Sequence, residues 1–325
     1  MTRGPAHAGR LRAWERLVFA AVFVLMAGFL TAVTFAAMRS AQMTAQGRAV
    51  IGDSAGKPPT VGTGHGQPAK RGGSADVGRR RASSDAVMDS RLAAELRPVV
   101  ARDRGHIAVG VIDVSTGAEA LYDPRGSFHA AGIVKADILA ALLLRTQRAG
   151  QGLTDQQAQL AVPMIEESNN RAATVLWRMV GAGPEIASAN IRLGLSHTVA
   201  GPAGQWGLTS TTVADQLRLL TDLISLTSPL TAASRGYELG LMEEVTPSQQ
   251  GGVSAAASPG TVFAVKDGWL PDRHLWVINS IGIVTHDGHR LLIAVLSNDQ
   301  PSEAAGIAAA SAAAIAAAGV ITGAS

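Results

Sequence analysis

The chain has 325 residues, of which 47% are hydrophobic, so it is long enough for a large folded domain together with appended segments. It contains no Cys, which excludes disulfides, thiolate chemistry and cysteine-based metal sites. Residues 1–87 carry 12 Lys and Arg against 4 Asp and Glu, whereas residues 88–325 carry 16 Lys and Arg against 21 Asp and Glu. The basic charge therefore lies in the N-terminal part, and the net negative charge of the rest argues against a nucleic-acid-binding surface.

A membrane anchor is predicted near the start of the chain. The short basic segment 1–16 precedes an uncharged, apolar run of 22 residues at 17–38. At 1.5 Å per residue, a helix over this run would span roughly 33 Å, enough to cross a bilayer core. The run is long for a cleaved signal peptide, which stays the alternative, so we expect a retained single-pass anchor in the cell membrane. The charge bias favours a cytoplasmic N-terminus, with the folded domain outside the cytoplasm.

Two regions of different composition follow the anchor. Residues 39–87 are rich in Gly, Ser and Arg and lack apolar periodicity, so they are predicted to form a disordered tether. Residues 88–325 are predicted to form the folded domain. It begins with an amphipathic helix at 87–102 and continues with a hairpin whose strands lie at 106–114 and 120–122.

The rest of this domain is predicted to be a run of helices followed by a return to strands. Gly- and Pro-rich breaks separate helices at about 132–149, 154–166, 169–181, 183–193, 210–226 and 231–244. Strands are predicted at 261–266, 275–285 and 290–296, with an Ala-rich packed helix at 302–320. We therefore expect an α+β domain in which both ends of the chain build one antiparallel sheet, the middle forms an all-helical lobe, and a cleft separates the two.

Lysine is rare in the folded domain. The chain has four Lys, at positions 57, 70, 135 and 266, against 24 Arg, so only Lys135 and Lys266 fall within residues 88–325. A Lys beside the apolar run that begins at Ala136 is costly to bury unless something uses it. Because a buried Lys can release its proton whereas Arg cannot, these two positions are the first candidates for a functional site.

Three short motifs include these lysines. Gly-Ile-Val-Lys at 132–135 opens the predicted central helix, Ser-Asn-Asn at 168–170 precedes an apolar helix, and Lys-Asp-Gly at 266–268 follows a predicted strand. In order, spacing and context the three resemble the S-x-x-K, S-D-N and K-T-G motifs of the class A β-lactamase and penicillin-binding serine hydrolase family. The resemblance covers roughly residues 88–320 and implies a serine β-lactamase/transpeptidase-like fold.

The resemblance implies catalytic roles for three of these residues. Lys135 corresponds to the base that takes the proton of the nucleophilic serine, Ser168 to a proton relay, and Lys266 to the cation that holds the relay serine and attracts a substrate carboxylate. Two simpler interpretations stay open. Lys135 is also explained as a structural cation that pairs with the helix or with Glu166 and Glu167, and Ser168 as the N-cap of the helix that follows it.

Four further residues are candidates for contact with substrate, and the resemblance implies the roles of the first two. Asn170 orients the lysine and a substrate amide, and Gly268 lets the substrate backbone approach the strand. Asp267 stands where the family has a Thr that contacts the substrate carboxylate. Trp269 follows Gly268 and is expected either to line the cleft or to pack on the sheet. Neither a metal nor another cofactor is expected.

Three departures from the motifs bear on activity. Gly132 occupies the position of the nucleophilic serine and offers no side chain for acyl transfer. Asp267 places a negative charge where the family has a hydroxyl, or forms an ion pair with Lys266. The loop at 199–207, where class A β-lactamases carry a Glu that activates water, contains no acid. Trp206 in this loop is expected to stack on a sugar or to pack in the core.

We therefore expect a membrane-anchored, extracytoplasmic β-lactamase-like protein that has lost acyl transfer and binds a cell-wall peptide or a β-lactam-like small molecule. The alternative is a serine hydrolase that cleaves amide bonds, including those of β-lactams, with a substitute nucleophile such as Ser168. Nucleic acid is not expected as a partner, and the sequence leaves the oligomeric state open. The His-Asp-Gly-His segment at 286–289 is predicted to be a hairpin turn rather than a metal site.

Overall fold

The computed structural model describes residues 73–102 and 105–323. The predicted anchor at 17–38 and the tether as far as residue 72 lie outside this part of the chain. Helix α1 spans Gly73–Arg102, so the end of the segment predicted as tether is helical. The predicted amphipathic face is confirmed, because Leu92 and Leu96 are fully buried.

One antiparallel sheet is built from both ends of the described chain. Its strands are β1 (His106–Asp113), β2 (Glu119–Tyr122), β5 (Ala264–Asp272), β6 (Leu275–His286) and β7 (His289–Gln300), in the order β2-β1-β7-β6-β5. The first two strands form the predicted N-terminal hairpin, and β1 pairs directly with the last strand, β7. The predicted α+β architecture is therefore confirmed.

The helical lobe comes between the two parts of the sheet. Its helices are α2 (Val134–Arg148), α3 (Asp155–Glu166), α4 (Asn170–Val180), α5 (Ala182–Leu193), α6 (Val213–Ile224) and α7 (Ala232–Glu243). A short ribbon pairs β3 (Phe128–His129) with β4 (Ser210–Thr211). Helix α2 is the central element, since every residue from Val134 to Leu144 is buried. This follows from the apolar run in the sequence, which leaves no polar face for solvent.

The last helix, α8 (Glu303–Thr322), packs with α1 on one face of the sheet, and α6 packs on the other. By length and composition alone α8 could cross a membrane. However, Ala310, Ala313 and Ala317 are buried. The burial of these alanines agrees with the prediction that α8 packs against the folded domain.

Strand β5 differs from its prediction. It runs from Ala264 to Asp272 rather than ending at Lys266, so the Lys-Asp-Gly motif lies inside the strand. Gly268 and Pro271 made the sequence look like the end of a strand, but β5 is at the edge of the sheet, where Pro is tolerated. Because side chains alternate along a strand, Lys266 and Gly268 face the helical lobe, and Asp267 faces the opposite side.

The turn between β6 and β7 is confirmed as a hairpin. His286 pairs with His289 in the register, and Asp287 and Gly288 have φ angles of 47° and 82°. His289 Nδ1 lies 2.8 Å from the carboxylate of Asp113. His286 Nδ1 lies 2.7 Å from a backbone oxygen. Within residues 73–102 and 105–323, no group of three or more His, Cys, Asp and Glu side chains is arranged to hold a metal ion.

Candidate functional site

Lys135 lies in the first turn of α2 and is only 2% exposed. Its ammonium donates hydrogen bonds to Ser168 O at 2.9 Å, Ser168 Oγ at 2.8 Å and Asn170 Oδ1 at 2.9 Å. The ring of Trp206 covers the same group, with its centroid 4.9 Å from Nζ. The three donors of this ammonium are thus matched by uncharged acceptors of the second motif, rather than by Glu166 or Glu167.

Ser168 lies between the two lysines. Lys266 Nζ donates to Ser168 Oγ at 3.2 Å and to the backbone oxygen of Asp267 at 2.9 Å. Ser168 has a φ of 55°, a left-handed conformation that is strained for a residue with a side chain. The bonds from Lys135 to its carbonyl and hydroxyl stabilise that conformation. The N-cap of α4 is Asn169, whose side chain accepts from Ala172 N, so the prediction that Ser168 caps this helix is wrong.

Both lysines are easier to deprotonate than an exposed lysine. Burial lowers the pKa of Lys135 to about 7, and the nearby positive charge of Lys266 adds to the effect. Burial also lowers the pKa of Lys266, although the charge of Asp267 opposes this. An uncharged amine at Lys135 is therefore available near neutral pH, which a general base requires.

The low pKa of Lys135 is directly measurable because the chain has only four lysines. In a protein labelled with ¹³C-lysine, we expect one Cε signal to titrate with a midpoint near pH 7, and that signal to vanish in Lys135→Met. The Lys57→Met variant, changed outside the described residues, serves as a control that retains the signal. A Lys135 midpoint near the ordinary pKa of 10.5 would contradict the proposed burial effect.

The side chain of Asp267 does not reach the cleft. It is fully buried, and its carboxylate accepts from Ser280 Oγ at 2.5 Å and from Gly251 N at 2.5 Å. Ser280 is its cross-strand partner on β6, on the face of the sheet opposite Lys266. Burial raises the pKa of Asp267 to about 7, against these hydrogen bonds and the charge of Lys266. The structure therefore does not place the Asp267 side chain where it could contact a substrate in the cavity, because alternation along the strand turns it away, and Lys266 bonds to the backbone oxygen of Asp267 rather than to its carboxylate.

A cavity of about 630 Å³ lies beside the lysine cluster. It is lined by Ala131, Gly132, Lys135, Glu167, Ser168, Asn170, Gln205, Trp206, Gly207, Leu208, Gln249, Gly268, Trp269 and Leu270. The structure thus brings together most of the predicted site residues around one space. Lys266 is fully buried behind Ser168 and does not line the cavity, and neither does Asp267.

The lining includes residues to which the sequence assigned no ligand contact. Glu167 immediately precedes Ser168 and is exposed in the cavity wall. Its place next to the second motif could have indicated this position from the sequence. Gln205 comes from the acid-free loop, whose contribution to the wall is uncharged. Gln249 comes from the segment between α7 and β5, where no local pattern marks it. Trp206 contacts Lys135, and its Nε1 donates to Thr174 Oγ1 at 3.1 Å.

Gly132, at the position of the family's nucleophilic serine, packs directly against Gly268 of strand β5. Because neither residue has a side chain, the two backbone segments come into contact. An ideal Cβ on Gly132 would lie 2.8 Å from Gly268 Cα and 2.9 Å from Asp267 O. A Cβ on Gly268 would overlap the backbone nitrogens of Gly132 and Ile133. These separations are shorter than normal carbon contacts, so the backbone of β5 occupies the space that a side chain at position 132 would need.

Comparison with solved structures identifies the fold. The chain resembles a class A β-lactamase from Bacteroides cellulosilyticus DSM 14838, with a TM-score of 0.63 and 13% identity over 73% of this chain and 99% of that one. A β-lactamase from Xanthomonas campestris pv. campestris gives a TM-score of 0.62 and 20% identity over 72% and 98%. A β-lactamase from Burkholderia vietnamiensis gives a TM-score of 0.62 and 21% identity, over 73% of this chain and 97% of that one.

A second comparison concerns sequence families. A search of curated proteins found no match. The sequence model of the β-lactamase enzyme family matches residues 145–319, which is more than half of the chain and includes the second and third motifs. Together with the shared fold and the cluster of Lys135, Ser168 and Lys266, this match shows that the chain belongs to the β-lactamase enzyme family.

Proposed function

We propose that this protein is a membrane-anchored, extracytoplasmic member of the family that has lost acyl transfer and binds a ligand in its cavity. The observation that carries the proposal is the contact between Gly132 and Gly268. Acyl transfer needs a nucleophilic oxygen at the head of α2, next to Lys135. Gly132 supplies no such oxygen, and the backbone of β5 closes the space around it.

Besides the nucleophile, the cavity loop lacks the base that hydrolysis of an acyl-enzyme requires. An acyl-enzyme is released when a base activates water beside it. The loop that reaches the cavity contributes Gln205, Trp206, Gly207 and Leu208, and none of these is a base. Among the residues that the structure describes, Glu167 is the acid in the cavity wall, and it comes from a different segment.

The cavity nevertheless retains what a binding site requires. Its volume of about 630 Å³ falls in the range of small-molecule and peptide pockets. Two Trp side chains, three side-chain amides and the hydroxyl of Ser168 line it, which suits a peptide backbone or a β-lactam-like ring. We therefore assign a cell-wall peptide or a β-lactam-like compound as the ligand class.

The location rests on the N-terminal sequence. The uncharged run at 17–38 is long enough to cross a bilayer, and its basic flank favours a cytoplasmic N-terminus. The folded domain then faces the cell envelope, where cell-wall peptides and β-lactams are present.

A second candidate is a serine hydrolase that uses Ser168 as a substitute nucleophile. In its favour, Ser168 Oγ lies 2.8 Å from the Nζ of Lys135, whose pKa is about 7. Neutral Lys135 could take the hydroxyl proton as Oγ attacks a carbonyl carbon. Against it, Ser168 sits in a strained turn that its lysine contacts hold in place.

A labelling experiment separates the two candidates. The full-length protein, purified in a mild non-ionic detergent, is incubated with a fluorescent penicillin and analysed by intact-mass and peptide mass spectrometry. We expect no stoichiometric adduct on the wild type, on Lys135→Ala or on Ser168→Ala. An adduct on the wild type that is lost in Ser168→Ala would instead establish Ser168 as the nucleophile. An active class A β-lactamase serves as the positive control.

A further inference from the structure

We propose that the cavity selects a ligand that carries a primary ammonium group, bound at Glu167, over a ligand that presents a carboxylate to the lysines. The inference rests on the proposed function, because it assumes that the cavity binds a ligand. It narrows the ligand class to cationic peptides or amino compounds that also offer a neutral carbonyl.

The first argument is the lack of an available cation. Within the described part of the chain, Lys135 is the one Lys or Arg that lines the cavity. Its ammonium already donates to two atoms of Ser168 and to Asn170, and Trp206 covers it. Lys266 is fully buried and donates to Ser168 and to a backbone oxygen. A carboxylate would enter this end of the cavity without a charged donor free to receive it.

The second argument is the charge at the other end of the wall. Glu167 lines the cavity and is exposed to it. Burial raises the pKa of the adjacent Glu166, and the charges of Glu244 and Glu167 add to this effect, so these three carboxylates lie near one another, and Glu167 is the one that lines the cavity. Trp269 also lines the cavity, and aromatic faces attract ammonium groups, whereas the ring of Trp206 already faces the ammonium of Lys135. A cation is therefore favoured by both charge and lining.

The third argument concerns the hydroxyl of Ser168. Its oxygen accepts hydrogen bonds from both Lys135 and Lys266. While both amines are protonated, neither can accept a hydrogen bond, so the Ser168 hydroxyl hydrogen is then left for a third group. An amide carbonyl of the ligand is the neutral acceptor that fits this position. The ligand thus places a carbonyl at Ser168 and an ammonium group at Glu167.

Four matched dipeptides test the inference. The probe is Nα-acetyl-L-lysyl-D-alanine, prepared with its side-chain amine free or acetylated and with its C-terminus as carboxylate or amide. Binding to the full-length protein in non-ionic detergent is measured by isothermal titration calorimetry at pH 6, where Lys135 is protonated, and at two salt concentrations. We expect acetylation of the amine to weaken binding about tenfold, as for the loss of a charge-assisted hydrogen bond, and the carboxylate forms to bind no more tightly than the amides.

Two variants locate the effect. Glu167→Gln should reduce the penalty of acetylation to about twofold or less, because the group that prefers the ammonium is gone. Glu185→Gln changes an exposed acid on α5 outside the cavity and should leave the tenfold penalty intact. Circular dichroism confirms that both variants are folded, as expected for exposed side chains.

The outcomes separate this inference from the proposed function. If the peptides bind but acetylation has no effect, if the carboxylate forms bind more tightly, or if Glu167→Gln keeps the amine preference, the inference is overturned and the binding cavity stands. If none of the four peptides binds at millimolar concentration, the inference and the assignment of a cell-wall peptide are overturned together.

Discussion

Replacing Gly132 by Ser should destabilise the protein and should not create β-lactam hydrolysis. The new Cβ would meet Gly268 Cα at 2.8 Å and Asp267 O at 2.9 Å, and both are backbone atoms that move only if strand β5 moves. Inserting atoms into a packed interior typically costs about 1–3 kcal/mol. The free energy of unfolding is measured by urea titration, and turnover with a chromogenic cephalosporin.

The matched control is Gly152→Ser. A Cβ at Gly152 would meet no other atom within 4 Å, so the same substitution there should change stability by less than about 0.5 kcal/mol. If Gly132→Ser is as stable as the wild type, the contact between Gly132 and the backbone of β5 does not prevent a side chain from fitting at position 132. If it also hydrolyses the cephalosporin, the loss of activity is due to the missing hydroxyl alone.

Asp137→Asn should remove a large pH dependence from the stability of the protein. Asp137 lies in the buried helix α2, two residues after Lys135, and burial raises its pKa from 3.8 to about 7. The folded state therefore holds a proton that the unfolded state releases between about pH 4 and pH 7. The stability that this proton contributes is present below about pH 4 and is lost as the pH rises to about 7, by up to roughly 4 kcal/mol.

A second buried acid strengthens this prediction. Glu238 on α7 is fully buried, and burial together with the charge of Asp137 raises its pKa well above the ordinary value. Within the described part of the chain, Asp137 Oδ2 and both carboxylate oxygens of Glu238 lack a hydrogen-bond partner. Gln216 Nε2 lies 3.4 Å from Asp137 Oδ1, which is a long contact for a charged carboxylate. These surroundings favour the neutral acids.

Urea unfolding at pH 5, 6, 7 and 8 checks the prediction. The difference in unfolding free energy between Asp137→Asn and the wild type should grow in favour of the variant as the pH rises, and Glu238→Gln should change in the same direction. Asp272→Asn, an exposed position at the end of β5, is the control and should follow the wild type. Parallel pH profiles for Asp137→Asn and the wild type would show that Asp137 is already ionised in the folded protein.

The sequence predicted the cluster of motif residues through their resemblance to the three motifs of the serine hydrolase family, and local patterns supported the positions of the first two motifs. The apolar run after Lys135 marks a buried helix, and the apolar helix after Asn170 marks the position of the second motif. Since the fold brings these motifs together, Lys135, Ser168 and Lys266 meet as expected. The extent of β5 was wrong because position at a sheet edge, which tolerates Pro271, is not a local property.

Other features of the site depend on contacts between distant segments. Nothing near Gly132 in the sequence shows that Gly268 packs on it from the far end of the domain. The direction of the Asp267 side chain could have been predicted from the sequence, because the side chains of adjacent residues in a strand point to opposite faces of the sheet. Asp137 was also visible as an acid inside an apolar run, but its neighbour Glu238 lies about a hundred residues away in the sequence.

If acyl transfer has been lost, as we propose, the two lysines explain how the motifs of the active family can persist. Ser168 keeps a left-handed backbone because Lys135 binds both its carbonyl and its hydroxyl, and Lys266 binds the same hydroxyl. Loss of either lysine would therefore disturb the turn even if no reaction took place. Selection for a stable fold would then preserve both residues after the nucleophile had gone. A genome survey that scores hydrolases by their active-site lysines would count this chain as an enzyme, whereas one that first inspects position 132 would not.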